Sequence, residues 1–134
     1  MSRFQLNSRL DEVRHADAWL RAEIPAYASE PVRHDLALVL EEVLTNVIRH
    51  GYGPGAEGRI VLSAEIDHGR LRLEVRDQAR PFDPFSAAPP DLEADVADRP
   101  VGGLGIFLVL RLMDRVEYRR QGDENVLVME KLLS

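Results

Sequence analysis

EEVLTNVIRHGYG, residues 41–53, closes the stretch PVRHDLALVLEEVLTNVIRH (31–50), and its reading decides the fold. Val32, Leu36, Val39, Leu40, Val43, Leu44, Val47 and Ile48 recur with the 3.6-residue period of a helix buried along one face. Pro31 stands in the first turn, where a helix has no use for its missing N–H, and Gly51 stands where a helix stops. Within this helix Glu42, Asn46 and His50 follow one another at intervals of four. Positions four apart differ by about 40° in heading, so the three side chains form one polar stripe. Val39, Val43 and Val47 sit beside it in projection, which places the stripe at the rim of the buried face. A carboxylate, a carboxamide and an imidazole at such a rim imply a polar counterpart opposite.

Outward from this helix, RFQL (3–6) is short enough for an opening strand, and LDEVRHADAWLRAEI (10–24) is a loosely amphipathic surface helix ending near Pro25, with Trp19 as a core or interface anchor. RIVLSAEID (59–67) and LRLEVRDQ (71–78) alternate, with Ile60, Leu62, Ala64 and Ile66 on one face and Leu71, Leu73 and Val75 inward on the other strand. Asp67-His68-Gly69-Arg70 between them reads as a tight hairpin in which glycine supplies a positive φ. ARPFDPFSAAPPDLEADVADRPVGG (79–103) has neither period, and a loop of that length in a compact domain is functional or disordered. LGIFLVLRLMDRVEYRR (104–120) resumes as a helix running into a strand, and QGDEN (121–125) turns the chain into the last strand, VLVMEKLL (126–133). This order predicts an α+β fold: a two-layer sandwich whose mixed, mostly antiparallel sheet is covered on one face by helices.

The 134 residues suit one domain, 1–134, large enough to bury about two thirds of its surface. A net charge of −6 argues against non-specific attachment to a phosphate backbone, so no nucleic-acid partner is expected. The absence of cysteine excludes disulfides, thiolate chemistry and Cys-ligated zinc. His15, His34 and His68 have no partners at metal-ligand spacing. MSRFQLNSRLDE lacks an apolar signal core, and no run of about 18 apolar residues follows, so a soluble, cytoplasmic protein without membrane attachment is expected.

Two further clusters carry chemistry. In VRDQARPFDPF (75–85), Asp77 continues the inward phase of Leu71, Leu73 and Val75, and an inward carboxylate needs donors because an unpaired one costs several kcal/mol. It either pairs with a backbone turn or reads a ligand. In GGLGIF (102–107), Gly102, Gly103 and Gly105 open a helix directly after the long loop, an arrangement whose free backbone N–H groups favour an anion.

Together these residues resemble the GHKL superfamily, the ATP-binding Bergerat fold shared by gyrase, MutL and histidine kinases. In its short single-domain form the chain is similar to the anti-sigma factor serine kinases of bacterial partner switching. EEVLTNVIRHGY stands for the N-box, DQARPFDP for the first glycine box and GGLGIFLVLRLMD for the second, in the family's order over nearly the whole chain. The resemblance implies ATP and Mg²⁺ as cofactors. It makes Asn46 the residue that coordinates Mg²⁺ bridging the phosphates, Glu42 the general base toward an attacking serine hydroxyl, and Asp77 the acceptor from the adenine amino group. Gly103 and Gly105, with Gly102 and Leu104 in the same turn, would cradle the phosphates. Residues from about 85 to 101 would form the ATP lid, with Arg99 able to reach the γ-phosphate and Phe82 pinning the lid's base beside the nucleotide. His50 would close the N-box helix and buttress the site. The family's first glycine box is usually Asp-x-Gly, whereas here Ala79 holds the glycine's place. If the backbone needs a positive φ there, alanine costs about 1 to 2 kcal/mol; if it needs a small residue, the cost is slight.

The implied activity is that of a protein serine kinase acting on an anti-sigma antagonist of the STAS-domain type, and sequestering a sigma factor or other regulator as an alternative partner. Relatives of this form often pair as homodimers. A nucleotide-gated binding module with weak or no kinase activity is the competing function, and Ala79 is the sequence feature that leans toward it. A histidine kinase's catalytic half is a third reading, disfavoured because both early helices are needed by the fold itself.

Overall fold

Helix α2 (Glu30–Asn46) follows from the apolar period. In the computed structural model, which describes residues 1–53, 55–86 and 103–134, it begins at Ser29, whose side chain accepts from the Val32 N–H, with Pro31 in the first turn. Leu36, Val39, Leu40, Val43 and Leu44 are buried along it. The helix does not stop at Gly51. From Val47 to Tyr52 it widens into a π-turn, closed by Gly53 N–H donating to the Ile48 carbonyl (3.1 Å). Gly53 ends the run at φ 92°, a conformation glycine adopts without a side-chain clash.

Five strands form one sheet: β1 (Ser2–Asn7), β2 (Arg59–Asp67), β3 (Arg70–Asp77), β4 (Arg115–Gln121) and β5 (Glu124–Leu132), in the order β1-β2-β3-β5-β4. All four pairings are antiparallel, so the expected parallel component of a mixed sheet is missing among the described strands. The turn between β2 and β3 places both His68 (φ 50°) and Gly69 (φ 73°) in the left-handed region, the geometry whose twist matches a two-residue hairpin.

Strand alternation sends one face of the sheet to the helices. Leu6, Ile60, Leu62, Leu71, Leu73 and Met129 are at most 2% exposed. They form one cluster with the apolar faces of α2, of α1 (Val13–Glu23) and of α3 (Gly103–Leu112). α2 lies between α1 and α3. Each such leucine or isoleucine contributes roughly 1.5–3 kcal/mol by leaving water. Trp19 is half-buried: it stacks on Phe4 at 5.8 Å, and its Nε1 donates to Ser2 Oγ, docking α1 on the edge strand. On the opposite face Val126 stands in register between Arg76 and Arg119 and is fully buried, as long arginine stems allow.

Tyr52 ties the π-turn to the sheet. Its hydroxyl donates to the Arg59 carbonyl (2.7 Å) and accepts from the Gln78 N–H (2.8 Å), so the start of β2 and the end of β3 share one anchor. Burial pushes the phenol's pKa up against the lowering effect of the Gln78 amide. The ring lies where a side chain on Gly58 would stand. Gly58→Ala is therefore expected to destabilise the protein by about 1–3 kcal/mol through overpacking, read as a lower urea midpoint at unchanged slope. An unchanged midpoint would mean that the Tyr52 ring is not seated there.

Candidate functional site

The end of β3, the π-turn and the first turns of α3 converge on a narrow cavity. Val43, Val47, Val75, Ile106 and Leu127 give it apolar walls, while Asn46, Asp77, Tyr118 and Asn125 bring polar side chains to it. Its volume is 20 Å³, enough for about one water. Phe82 and Pro84 also line the cavity. A larger groove of 380 Å³ between α1 and α2 is remote from these groups and is lined by residues such as Asp17, Arg21 and His34.

Asp77 is 5% exposed. Its Oδ1 accepts from the Ala79 N–H (3.0 Å) and from Asn125 Nδ2 (2.9 Å), while Oδ2 meets no donor among the described residues. Burial raises its pKa above the ordinary 3.8. The hydrogen bond from Asn125, that from Ala79 and the charge of Arg120 oppose the rise, and Glu124 adds to it. A buried carboxylate with one committed and one uncommitted oxygen suits a ligand that brings its own N–H donor.

The sequence-predicted residues divide into three groups in space. Asn46, Asp77 and Phe82 meet at the cavity. Glu42 and Gly105 meet beside it: both are half-buried, and a side chain on Gly105 would overlap the Glu42 carboxylate. The glycine thus lets the first turn of α3 approach the acid on α2, and Gly103 and Leu104 are described as the backbone that opens this helix. His50 and Ala79 face elsewhere. They line an open groove of 550 Å³ with Arg49, Gln78 and Arg80, and Gly51 is common to this groove and the cavity. His50 is exposed, and its carbonyl accepts from Arg80 (3.2 Å). The polar stripe therefore holds from Glu42 to Asn46 and breaks where the helix widens. Arg99, Gly102 and residues 87–101 of the expected lid lie outside the described residues.

Ala79 takes an ordinary backbone conformation, since His68 is the sole non-glycine residue with positive φ among those described. The larger cost considered for alanine at this position does not arise. Ala79 is buried, and a Cβ added at Gly51 would stand 3.4 Å from its own. Smallness is thus what the position uses.

Asn125, Tyr118 and Arg120 were not anticipated as site residues. Arg120 donates to the Ala79 carbonyl (2.8 Å), and Tyr118 donates to Asn125. A signal for Asn125 is present: it shares the inward phase of Leu127 and Met129, as Asp77 shares that of Leu73 and Val75.

Comparison with known proteins gives the family. A family model described as the histidine kinase-like ATPase domain matches residues 6–131. The chain is 36% identical over 103 residues to the serine-protein kinase RsbW of Halalkalibacterium halodurans, an alignment covering 74% of this chain and 62% of that one. It is 29% identical over 101 residues to the serine/threonine-protein kinase BtrW of Bordetella bronchiseptica, covering 75% and 71% respectively. The chain thus spans about two thirds of the length of these relatives. Among solved structures, that of the RsbU and RsbW domains of Rv1364c from Mycobacterium tuberculosis superposes with a TM-score of 0.65 at 18% identity, covering 99% of this chain and 33% of that one. With nearly its whole length matched, and with the sheet and helices arranged as described, the chain belongs to the histidine kinase-like ATPase domain family of the GHKL type.

Proposed function

We propose that the chain is an ATP-dependent protein serine kinase of the anti-sigma type, phosphorylating a serine of a STAS-like antagonist protein and holding a sigma factor or similar regulator as its alternative partner. The observation that carries this reading is the approach of Glu42 to Gly105 directly beside the cavity of Asn46 and Asp77. A base, a bare helix opening and a buried acceptor then stand side by side. The serine-protein kinase names of the relatives support the same activity.

The chain's residues suit Mg·ATP. Asp77 would accept from the adenine amino group, using the oxygen that Ala79 and Asn125 leave uncommitted. Asn46 offers a hard oxygen ligand. No group of three His, Asp or Glu side chains that could hold a metal ion occurs among the described residues, so a cation here would rest on Asn46 and on phosphate oxygens, a common mode for Mg²⁺. The backbone N–H groups opening α3, bare at Gly105, would face the phosphates; Gly102 and Arg99, which the resemblance assigns to that end, lie outside the described residues. When bound, Mg·ATP supplies the transferable γ-phosphoryl group and charge neutralisation. Glu42 would take the proton of the attacking serine hydroxyl as its oxygen bonds to phosphorus and ADP leaves. His50, exposed and outside the cavity, would act on the site through the π-turn.

The alternative of a binding module without kinase activity drew its support from Ala79, where an ordinary φ leaves no backbone strain to argue for it. Incubating the protein with γ-labelled Mg·ATP in an extract of its own cells decides between them. Label on one small protein, lowered about 10²- to 10⁴-fold by Glu42→Gln at unchanged nucleotide affinity, is expected. Nucleotide binding with no protein labelled would overturn the kinase reading, and equal labelling by Glu42→Gln would overturn the role of Glu42 as the base.

The Asp77 charge is held at a cost to the fold. A carboxyl whose folded pKa is raised binds its proton more tightly in the folded state, so stability falls as pH rises through its ionisation. Asp77→Asn keeps an oxygen for the Ala79 and Asn125 donors and removes the charge. This variant is expected to melt at or above the wild-type temperature at pH 8, with the gap narrowing as pH falls toward the ordinary carboxylate range. Its affinity for ATP should drop roughly ten- to a hundredfold. Calorimetric melting across pH and titration with ATP would check both halves.

A further inference from the structure

Asn125 lies on β5 directly opposite Asp77 and is 5% exposed. A carboxamide has two donor hydrogens and two acceptor lone pairs, and protein groups take all four. Nδ2 donates to Asp77 Oδ1 (2.9 Å) and to the Arg80 carbonyl (2.9 Å). Oδ1 accepts from the Phe82 N–H (3.2 Å) and from the Tyr118 hydroxyl. The reversed amide would turn its oxygen toward a carboxylate and a carbonyl, and its NH₂ toward an N–H, so the partners determine the orientation. A side chain with no capacity left over cannot bind a ligand itself. It can decide what its neighbours present. The NH₂ half of this amide joins the last residue of β3 to the Arg80 carbonyl, and the oxygen half holds the Phe82 N–H and Tyr118, so one side chain ties β3 to the backbone of residues 80–82, where Phe82 lines the cavity.

We propose that Asn125 is a positioning residue for base recognition: by engaging Oδ1 of Asp77 while Tyr118 and the 80–82 backbone hold the amide still, it leaves Oδ2 as the acceptor that reads an exocyclic amino group. The inference rests on the reading that the cavity receives the base of a nucleotide. Tyr118 belongs to the same device, since its hydroxyl and the Phe82 N–H share Oδ1 and so stop the amide from rotating.

The test is a ratio of affinities: ATP against the triphosphate of unsubstituted purine riboside, which has the same ring, sugar and phosphates but no amino group. Equilibrium titration of the wild type should favour ATP by about tenfold or more, the strength of a hydrogen bond to a charged group. Asn125→Leu, of similar volume and without the amide, should bring the preference to about threefold or less. Tyr118→Phe should bring it to an intermediate value. A role confined to folding would weaken both ligands equally, so a preference still at the wild-type level in Asn125→Leu overturns the proposal. If that variant does not fold, Tyr118→Phe decides, and an unchanged preference there overturns it. A wild-type preference near one would instead sink the base-reading role of Asp77, and the positioning role with it.

Discussion

The buried carboxylate of Asp77 is the constraint on which the neighbouring structure turns. A charge removed from water at the end of an apolar strand must find donors, and three surrounding elements supply them or their charge. The Ala79 amide folds back on Oδ1, which takes the chain off the sheet immediately after β3. Asn125 meets the same oxygen from the neighbouring strand, and Arg120 on the next strand adds a positive charge while holding the Ala79 carbonyl. Phe82 and Pro84 reach the cavity lining from the stretch that this turn opens.

Around this centre, small residues stand where backbones or charged groups come too close for a side chain. Gly58 lies under the Tyr52 ring, Gly51 lies against Ala79, and Gly105 lies against the Glu42 carboxylate. The first keeps the π-turn on the sheet, the second packs the π-turn on the turn after β3, and the third brings a helix opening to an acid. Widening of the helix beyond Asn46 belongs to the same design. It carries His50 away from the cavity and brings Tyr52 within reach of both β2 and β3. Wider turns of this kind are frequent at functional sites.

Much of this was legible beforehand where the signal is local. The apolar period of residues 31–50 reports burial along one face and gave α2, and the alternation of residues 59–78 gave the β2–β3 hairpin with its inward Asp77. The π-turn was not legible, because six residues with i→i+5 bonds leave no period distinct from an α-helix. Asn125 was hidden for another reason: it stands next to a turn-forming run, and its composition suggested the turn although its phase belongs to the strand.

By itself the sequence determined which segments are helices and strands, which faces they bury, and that a carboxylate must point inward at residue 77, since these depend on neighbours a few positions away. Only the tertiary structure decided which donors reach that carboxylate, that Glu42 meets Gly105, and that His50 leaves the stripe it shares with Glu42 and Asn46. Those outcomes join residues such as Asp77 and Asn125, 48 positions apart. Strand register and helix packing set such distances, and no local pattern encodes them.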